Sequence, residues 1–353
     1  MDKRIFRLPD NWHAHLRMYK LFLAIYHHFN IYGRVLCIGN TSPLIETAYD
    51  AIHYKEDVLE QRVLFEPVMC IMLTQDTTPE MIYEAAKKGI KFVKFIPVGT
   101  SHGANKGLRL DDFMELYEIF PAIEGTGLHL LIHAEFMSGQ DGKEIPLLDR
   151  EEIAIASVSI YHNRFPGMQI TVEHVSTARM IDFVKSRDSA SIRATLTPHH
   201  AVLTYSDVFD HKDRMINPFN YCLPVLKRES DRQAVAQAMI SGDERFFAGT
   251  DAAPHWIRHK KSNKPPPGIS FGSSEYLRYL EVFEGEGAID KFEDFTSRFG
   301  AEYYGYSLNK ETITVVQEEW KSPLSENGIR YCLGGEMLRW KIIERNGDPI
   351  VMN

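Results

Sequence analysis

Leu130-Leu131-Ile132-His133-Ala134-Glu135 contains the arrangement that decides the fold of this 353-residue chain, an apolar run that ends in polar groups. Similar short apolar stretches recur along the sequence, each closed by polar or turn residues. Eight of them predict strands, at Arg4–Leu8, Arg34–Ile38, Val63–Leu73, Phe92–Ile96, Leu128–Ile132, Gln169–Val172, Arg193–Leu196 and Arg245–Ala248. Between many of them lie segments with apolar residues at helical spacing, such as Pro79–Lys88 and Leu110–Ile123.

Strands that alternate with helices favour a parallel sheet covered on both faces. Eight such strands in a chain of 353 residues predict a (β/α)8 TIM barrel of the α/β class. A doubly wound open sheet is the alternative, but no glycine-rich nucleotide loop follows the first strand. We expect a single domain over residues 1–353, in which about 310–353 form a C-terminal extension packed on the barrel. In this tail Thr312–Trp320 has a helical pattern and Met337–Ile343 a strand-like one.

Composition and charge exclude several classes of protein. The net charge is −8 and no basic stripe occurs, so we expect no nucleic-acid partner. No apolar run reaches the ~18 residues of a membrane span, and Met1–Pro9 lacks the apolar core of a secretion signal. The four cysteines are far apart and lack zinc-finger spacing, which fits reduced thiols in the cytoplasm.

Polar residues follow the predicted strands at the ends where a barrel enzyme builds its site. They are His13, His15 and Arg17 after the first strand, Asn40 after the second, Lys94 in the fourth, His133 and His174 after the fifth and sixth, and Asp251 and His255 after the eighth. Imidazole and carboxylate groups are ligands that suit zinc. Because chance would scatter such groups over both rims, their placement predicts a metal site at one rim.

The segment His13-Ala14-His15-Leu16-Arg17 repeats polar side chains at every second position. Side chains alternate along a strand, so His13, His15 and Arg17 are expected to point the same way. Two imidazoles could then hold one metal ion, with Arg17 beside it to bind an anion. A surface strand with two chance histidines is the simpler interpretation of this segment alone.

Each of the other polar residues also has a simpler interpretation when taken alone. Lys94 stands among apolar neighbours, where it could extend its amine to the rim or become carboxylated and bridge two metals. His133 and His174 could be hydrogen-bonded core histidines. Asp251 could cap a helix instead of binding a cation. The combination of all of them favours the metal site.

The motifs around these residues are similar to those of the dihydroorotases of the single-domain bacterial type, within the amidohydrolases. The order and spacing match from Arg4 to about Tyr304. The matching segments are Asn11-Trp12-His13-Ala14-His15-Leu16-Arg17, Tyr32-Gly33-Arg34 with Asn40, Val93-Lys94-Phe95-Ile96-Pro97, Ile132-His133-Ala134-Glu135, Glu173-His174-Val175-Ser176-Thr177, Ala194-Thr195-Leu196-Thr197-Pro198, Cys222-Leu223-Pro224-Val225-Leu226-Lys227-Arg228 and Gly249-Thr250-Asp251-Ala252-Ala253-Pro254-His255.

The resemblance implies the zinc-dependent, reversible hydrolysis of the cyclic amide of dihydroorotate to N-carbamoyl-aspartate, a step of pyrimidine biosynthesis. Two Zn²⁺ ions would share a hydroxide and be bridged by a carboxylated lysine. The implied metal ligands are His13, His15, Lys94, His133, His174 and Asp251. Asp251 would also be the catalytic residue that carries a proton from the attacking hydroxide to the leaving nitrogen. The implied substrate-binding residues are Arg17, Asn40, Leu223 and His255, with Thr100, Ser101 and Pro267 in the loops over the site.

Some positions depart from the family pattern. Asn11 replaces an aspartate, and Met18-Tyr19 replaces Asp-Gly after the motif arginine. The loop Gly99-Thr100-Ser101-His102-Gly103 is shorter than usual. Pro267 has no N–H in a loop where the family offers backbone groups to the substrate.

These departures leave two alternative functions. One is an amidohydrolase paralogue that acts on another cyclic amide or ureide, and Met18-Tyr19 with the short loop favour it. The other is a non-catalytic partner of another enzyme in the pathway. The complete ligand set argues against this second alternative, because a retired site tends to lose costly buried polar groups. The resemblance also allows a homodimer.

Overall fold

Eight parallel strands, hydrogen-bonded in chain order, form the central sheet of the protein, whose computed structural model describes residues 2–100 and 106–350. The first strand of the chain, β1 (Lys3–Arg7), lies outside this sheet. The barrel strands are β2 (Asp10–Ala14), β3 (Arg34–Cys37), β4 (Glu66–Leu73), β5 (Phe92–Phe95), β6 (His129–Ile132), β7 (Ile170–Val172), β8 (Ile192–Leu196) and β9 (Phe246–Ala248).

The sheet closes where the end of its first strand meets the end of its last. The backbone N–H of Asp251 donates to the carbonyl of His13 at 2.9 Å, and the N–H of His15 donates to the carbonyl of Ala252 at 2.9 Å. The predicted (β/α)8 barrel is therefore confirmed. Its closure also places the residues after β2 directly beside those after β9.

Helices lie between the strands and cover the outside of the barrel. The α-helices are α1 (Tyr19–Ile25), α2 (Ala48–Glu60), α3 (Pro79–Lys87), α4 (Phe113–Thr126), α5 (Arg150–Arg164), α6 (Ala178–Lys185), α7 (Pro198–Val202), α8 (Glu229–Ile240), α9 (Ile257–Lys260), α10 (Glu275–Gly285) and α11 (Phe299–Tyr303). Short 3₁₀ helices span Tyr26–Ile31, Tyr205–Asp207, Pro218–Asn220, Gly272–Ser274 and Ile289–Lys291, and a π-helix spans Asp294–Arg298. None of the helices in the described ranges is long and apolar enough to cross a membrane.

Local sequence signals explain where these helices begin and end. Thr47 caps α2 in a capping box, since its hydroxyl accepts from the N–H of Asp50 while the Asp50 carboxylate accepts from the N–H of Thr47. Pro79 occupies the first turn of α3, where its missing N–H costs nothing. Helix α4 ends at Gly127, whose φ of 73° suits a residue without a Cβ.

The interior of the barrel separates apolar from polar side chains along each strand. On β5, Phe92 belongs to the apolar interior with Leu36 and Leu131, while Lys94 lines a polar pocket. The apolar end is filled by Tyr304, whose ring centroid lies 5.0 Å from that of Trp12. The polar ends of the strands are consequently left for the site.

One strand prediction was wrong. Arg4–Leu8 is not the first barrel strand, because β1 pairs antiparallel with β10 (Thr312–Lys321) outside the barrel. The first barrel strand is β2, whose buried polar groups interrupt any apolar run and hide the strand from the sequence pattern. Those groups have partners: Arg34 Nη1 donates to Asp10 at 3.1 Å, and Asn11 Nδ2 donates to the Thr250 hydroxyl at 2.8 Å.

The predicted helical pattern at Thr312–Trp320 was also wrong, since these residues belong to β10. Thr312-Ile313-Thr314-Val315-Val316 is β-branched throughout, which favours a strand over a helix. The predicted strand in the tail is confirmed as β13 (Met337–Arg345), and short strands β11 (Ser325–Glu326), β12 (Ile329–Arg330) and β14 (Asp348–Pro349) accompany it. The tail contacts α10 where the N–H of Arg339 donates to Glu281 at 2.9 Å. The single domain over 1–353 with an extension at about 310–353 stays a prediction.

Candidate active site

A single pocket at the C-terminal ends of the barrel strands, here called the inner pocket, gathers the residues that the sequence singled out. Its lining consists of His13, His15, Arg17, Asn40, Lys94, Ile96, Thr100, His133, His174, Leu223, Asp251, Ala253, His255, Pro267 and Gly268. This set includes every predicted site residue in the described ranges, while Ser101 lies outside them. The structure thus brings these residues together, and their roles stay predictions.

Three ligand-type atoms face one another at the junction of β2 and β9. The Nε2 atoms of His13 and His15 are 3.4 Å apart, and Oδ1 of Asp251 lies 3.3 Å from the first and 3.0 Å from the second. Tetrahedral zinc with bonds of about 2.0–2.1 Å separates its ligands by about 3.3–3.4 Å. The three atoms therefore fit one triangular face of a zinc site.

A second pair of imidazoles stands at the ends of β6 and β7. Nδ1 of His133 lies 3.2 Å from Nε2 of His174. The other ring nitrogen of His133 donates to the Glu135 carboxylate at 2.9 Å, because a carboxylate can only accept. This contact leaves the lone pair of Nδ1 directed at His174, as a metal ligand requires.

Lys94 and Glu173 form a buried ion pair between these two groups of ligands. The same carboxylate reaches Nδ1 of His13 at 2.8 Å. Sequence reasoning quoted Glu173 within a motif but gave it no role. The available signal was a carboxylate that directly follows a strongly apolar strand, where burial demands a partner.

Three residues of the inner pocket other than glycine have backbone in the left-handed region. The φ angles are 62° at Arg17, 43° at His174 and 50° at Asp251. For residues with a side chain this conformation costs about 1–3 kcal/mol and clusters at functional sites. At each position the chain turns sharply as it leaves its strand, and the turn directs the side chain into the pocket. The expectation that Arg17 follows simple strand alternation is therefore not met, although it does line the pocket with His13 and His15.

Burial and neighbouring charges shift the titration of the first ligand group. Burial lowers the pKa of His15 to about 4. Burial alone would raise the pKa of Asp251, but hydrogen bonds from His13 and His15 outweigh it and hold the pKa well below its usual range. A neutral imidazole and an ionised carboxylate are the forms that bind metal.

The pKa values of the groups around Glu173 shift in different directions. Burial lowers the pKa of His174 well below its usual value, and the neighbouring His133 adds to this. Burial also opposes charge on His13, but the Glu173 and Asp251 carboxylates outweigh it and raise the pKa. For Glu173 burial is outweighed by His13 and Lys94, so its pKa is lowered.

The predicted anion-binding residues stand beside the metal ligands. Arg17 Nε donates to the carbonyl of Pro254 at 3.1 Å, and its Nη2 lies 3.1 Å from Nε2 of His255. The same nitrogen of His255 lies 3.0 Å from the carbonyl of Pro267. Asn40 has an orienting contact, since its Oδ1 accepts from Nδ1 of His15 at 2.6 Å and leaves Nε2 of that ring to face Asp251.

The loops over the inner pocket use their polar hydrogens within the protein. The Thr100 hydroxyl donates to the carbonyl of Pro97 at 2.7 Å. The N–H of Gly268 donates to the carbonyl of Tyr221 at 2.9 Å, and Pro267 has no N–H. At Pro267 and Gly268 the backbone can therefore offer a ligand carbonyl oxygens but no N–H groups.

The departures from the family motif lie around the inner pocket and not within its ligand groups. Asn11 links the ends of β2 and β9, because its Oδ1 accepts from the N–H of Thr250 at 3.0 Å while its amide donates to the Thr250 hydroxyl. Met18 and Tyr19 line a neighbouring cavity of about 490 Å³, here called the outer pocket. The outer pocket shares Arg17, Asn40 and His255 with the inner one.

Comparison with known proteins decides the family. No family model matches the chain. A dihydroorotase from Marinomonas sp. (strain MWYL1) is 36% identical over 346 residues, which cover 95% of this chain and 97% of that protein. The chain belongs to the dihydroorotase family. The resemblance drawn from the motifs is therefore confirmed.

Other dihydroorotases support this assignment over the whole length. The dihydroorotase of Acaryochloris marina (strain MBIC 11017) is 34% identical over 354 residues, which cover 98% of this chain and 100% of that one. The dihydroorotase of Saccharomyces cerevisiae, solved in complex with 5-fluoroorotic acid, superimposes with a TM-score of 0.91 at 27% identity, covering 99% of this chain and 100% of that one. Like other amidohydrolases, the chain has candidate metal ligands of the His and Asp type.

Proposed function

We propose that the chain hydrolyses the cyclic amide of dihydroorotate to N-carbamoyl-aspartate, reversibly and with zinc, as a step of pyrimidine biosynthesis. The observation that carries the proposal is the triangle of His13, His15 and Asp251 beside Arg17, in a chain 36% identical to a dihydroorotase. The triangle fits a metal ion, and Arg17 supplies the charge that a substrate carboxylate needs.

Two Zn²⁺ ions would be held by the ligand groups already described. His13, His15 and Asp251 would hold one ion and His133 with His174 the other, while a carboxylated Lys94 would join both. When bound, the ions would lower the pKa of a water molecule and polarise the amide carbonyl.

Carboxylation of Lys94 agrees with the charges around it. The Lys94 ammonium first gives a proton to the Glu173 carboxylate in contact with it, and the neutral amine then bonds to the carbon of CO₂ and loses a second proton. Both protons pass on to water, which leaves Glu173 ionised again. The carbamate, Glu173 and Asp251 would then be three buried anions. Buried anions are costly unless cations offset them, and two divalent ions supply four positive charges.

Arg17 would bind the carboxylate of the substrate, with His255 beside it at the same end of the pocket. Nε2 of His255 lies between the Arg17 guanidinium and the Pro267 carbonyl. A guanidinium only donates and a carbonyl only accepts, so one ring nitrogen cannot serve both at once. A bound carboxylate would accept from Arg17, and His255 could then donate to Pro267. Burial lowers the pKa of Arg17 to about 10, so it remains charged at neutral pH.

Asp251 would carry the proton of the reaction. The oxygen of the attacking water bonds to the ring carbonyl carbon, the C–N bond breaks, and the proton released by the water passes through Asp251 to the leaving nitrogen. The lowered pKa of Asp251 keeps the carboxylate ionised and ready to accept. The left-handed backbone at this residue holds it over the pocket.

Turnover by the purified protein tests the proposal. We expect hydrolysis of dihydroorotate, cyclisation of N-carbamoyl-aspartate, and bound zinc in the same preparation. The paralogue alternative rests on Met18 and Tyr19, which line the outer pocket. It predicts that a cyclic ureide without a carboxylate is hydrolysed faster than dihydroorotate, and that result would replace the proposed substrate.

The remaining alternative and the assembly need their own measurements. A non-catalytic partner would contain no zinc and turn over neither compound. Association into a homodimer stays a prediction of the resemblance, and the mass in solution measures it. A reducing cytoplasm remains our proposal for the location, supported by four cysteines that are all buried and free.

A further inference from the structure

Lys260 lies buried at the end of α9, with a residue exposure of 3%. Its ammonium group donates to three backbone carbonyls, those of Tyr221 at 3.0 Å, Pro266 at 3.0 Å and Gly268 at 2.9 Å. An ammonium has three N–H groups, so these carbonyls accept from all of them.

The three carbonyls belong to two separate loops of the inner pocket. Tyr221 stands two residues before Leu223, which lines the pocket. Pro266 and Gly268 flank Pro267, which lines it from the opposite loop. The loops are also joined directly, since the N–H of Gly268 donates to the Tyr221 carbonyl. Lys260 therefore binds both loops at the place where they meet.

The contacts also determine which side of the loop backbone faces the pocket. The carbonyls of Pro266 and Gly268 turn toward Lys260, while the carbonyl between them, that of Pro267, reaches His255 at 3.0 Å. The two outer carbonyls are thus held on the Lys260 side, and the middle one points to the pocket side. His255 in turn lies beside Arg17.

A buried lysine needs compensation for the loss of water. Burial lowers the pKa of Lys260 to about 7. The three carbonyl dipoles favour the charged form and offset part of the cost of burying it. Lys261, the next residue, is exposed, and its backbone N–H donates to the carbonyls of Ile257 and His259 within the helix end. The contacts of Lys260 are thus particular to it and not shared with its neighbour.

We propose that Lys260 is a positioning residue that holds the Leu223 and Pro267 loops in register, and so sets the affinity of the site for its anionic substrate. The proposal rests on the proposed function for the identity of the substrate. It acts through Pro267 and His255 on the carboxylate end, and through Leu223 on the ring. Lys260 does not touch the metal ligands, so metal content should not depend on it.

The test compares Lys260→Met, which keeps the aliphatic stem and removes all three donors, with Lys261→Met as a matched control. We expect the KM for dihydroorotate to rise about tenfold or more in Lys260→Met, with zinc content unchanged and kcat much less affected. Lys261→Met should behave as the wild type. Lys260→Arg should give an intermediate KM, because its planar fork keeps the charge but cannot reach three converging carbonyls equally.

Amide hydrogen exchange at Gly268 measures loop order without any substrate. We expect faster exchange at this amide in Lys260→Met and no change in Lys261→Met. Unchanged exchange in Lys260→Met would overturn the proposal, as would faster exchange with an unchanged KM. If Lys260→Met does not fold, Lys260→Arg decides by the same two measurements. If the wild type does not turn over dihydroorotate, the proposed function is wrong, and so is the effect of Lys260 on the affinity for this substrate. The amide exchange at Gly268 would still show whether Lys260 orders the two loops.

Discussion

Nδ1 of His13 lies 2.8 Å from Oε1 of Glu173, so an electrostatic contact joins a ligand of the first metal group to the residue that precedes His174, a ligand of the second. Both side chains are buried, and they join the end of β2 to the end of β7 across the barrel. Histidines that bind metal commonly give their second nitrogen to a carboxylate, which orients the ring. The contact therefore links the position of His13 in the first ligand group to the position of His174 in the second.

Glu173→Gln should weaken zinc binding about 10–100-fold, because an amide orients His13 less strongly and carries no charge for Lys94. Competition with a chelator measures the change in zinc affinity. Glu115→Gln, at an exposed position of α4, is the control and should leave zinc affinity unchanged. An unaltered affinity in Glu173→Gln would mean that the contact with His13 does not support the metal.

Lys94→Ala should lose activity and at least one zinc ion per chain, since the bridging carbamate cannot form. Short carboxylic acids should partly restore activity by occupying the space of the missing group. Metal analysis and turnover with and without added acid measure both effects. Full activity in the alanine variant would refute the bridging role.

Arg17→Lys should weaken substrate binding while zinc content stays the same. The lysine keeps a positive charge but loses the fork that grips a carboxylate at two points. The KM for dihydroorotate and the zinc content of the same preparation measure the outcome. Loss of zinc would show that Arg17 supports the metal ligands instead of the substrate.

Asp251→Asn should bind metal and substrate but turn over on the order of 10²–10⁴-fold more slowly, as expected for a lost general base. The amide keeps the shape and one carbonyl oxygen near His13 and His15. The acidic limb of the pH profile should change as well, because the wild-type carboxylate must be ionised to accept a proton. Near-normal turnover would leave Asp251 as a ligand or cap only, with His255 the next proton carrier to test.

Glu275→Gln should change how stability depends on pH. Glu275 is buried and accepts from the Ser270 hydroxyl at 3.2 Å, and burial raises its pKa to about 7 from an ordinary 4.5. The unfolded chain therefore releases this proton at lower pH than the folded one. The contribution of this group to the free energy of unfolding falls as pH rises from about 4.5 to about 7, and is constant above.

The predicted fall in stability with rising pH is tested by the melting temperatures of wild type and Glu275→Gln, measured from about pH 5 to about pH 8. The glutamine has no proton to lose, so the variant should gain stability relative to the wild type across this range. A difference that does not vary with pH would contradict the raised pKa. The comparison needs no substrate or metal.

Sequence patterns predicted the site well where a polar residue closes an apolar strand. His133 and His174 stand out in this way, and Lys94 stands out within its strand, because strand burial makes a polar group conspicuous. Barrel topology then brings strand ends together without any knowledge of side-chain contacts. For this reason the polar strand-end members of the inner pocket could be predicted from the sequence pattern, whereas Leu223, Thr100 and Pro267 came only from the family resemblance.

The parts that escaped prediction depend on partners distant in the chain. Strand β2 was missed because Asp10 and Asn11 are polar, and their burial is tolerable only with partners distant in the chain: Arg34 and Asn309 for Asp10, and Thr250 for Asn11. The role of Lys260 could not be predicted because its partners are backbone carbonyls. Every residue has a backbone carbonyl, so no sequence pattern indicates which ones meet the lysine. The helix predicted in the C-terminal tail was wrong for another reason, because the apolar residues of β10 happen to follow helical spacing.

The closure of the barrel between β2 and β9 has a consequence for how the protein is made. His15 and Asp251 are 236 residues apart in the chain, yet their side chains meet at 3.0 Å. A chain emerging from the ribosome exposes its two leading histidines long before their carboxylate partner exists. Pairings between such distant segments form slowly and late in folding. Tight metal binding should therefore be among the last events of folding, and it would indicate that the barrel has closed.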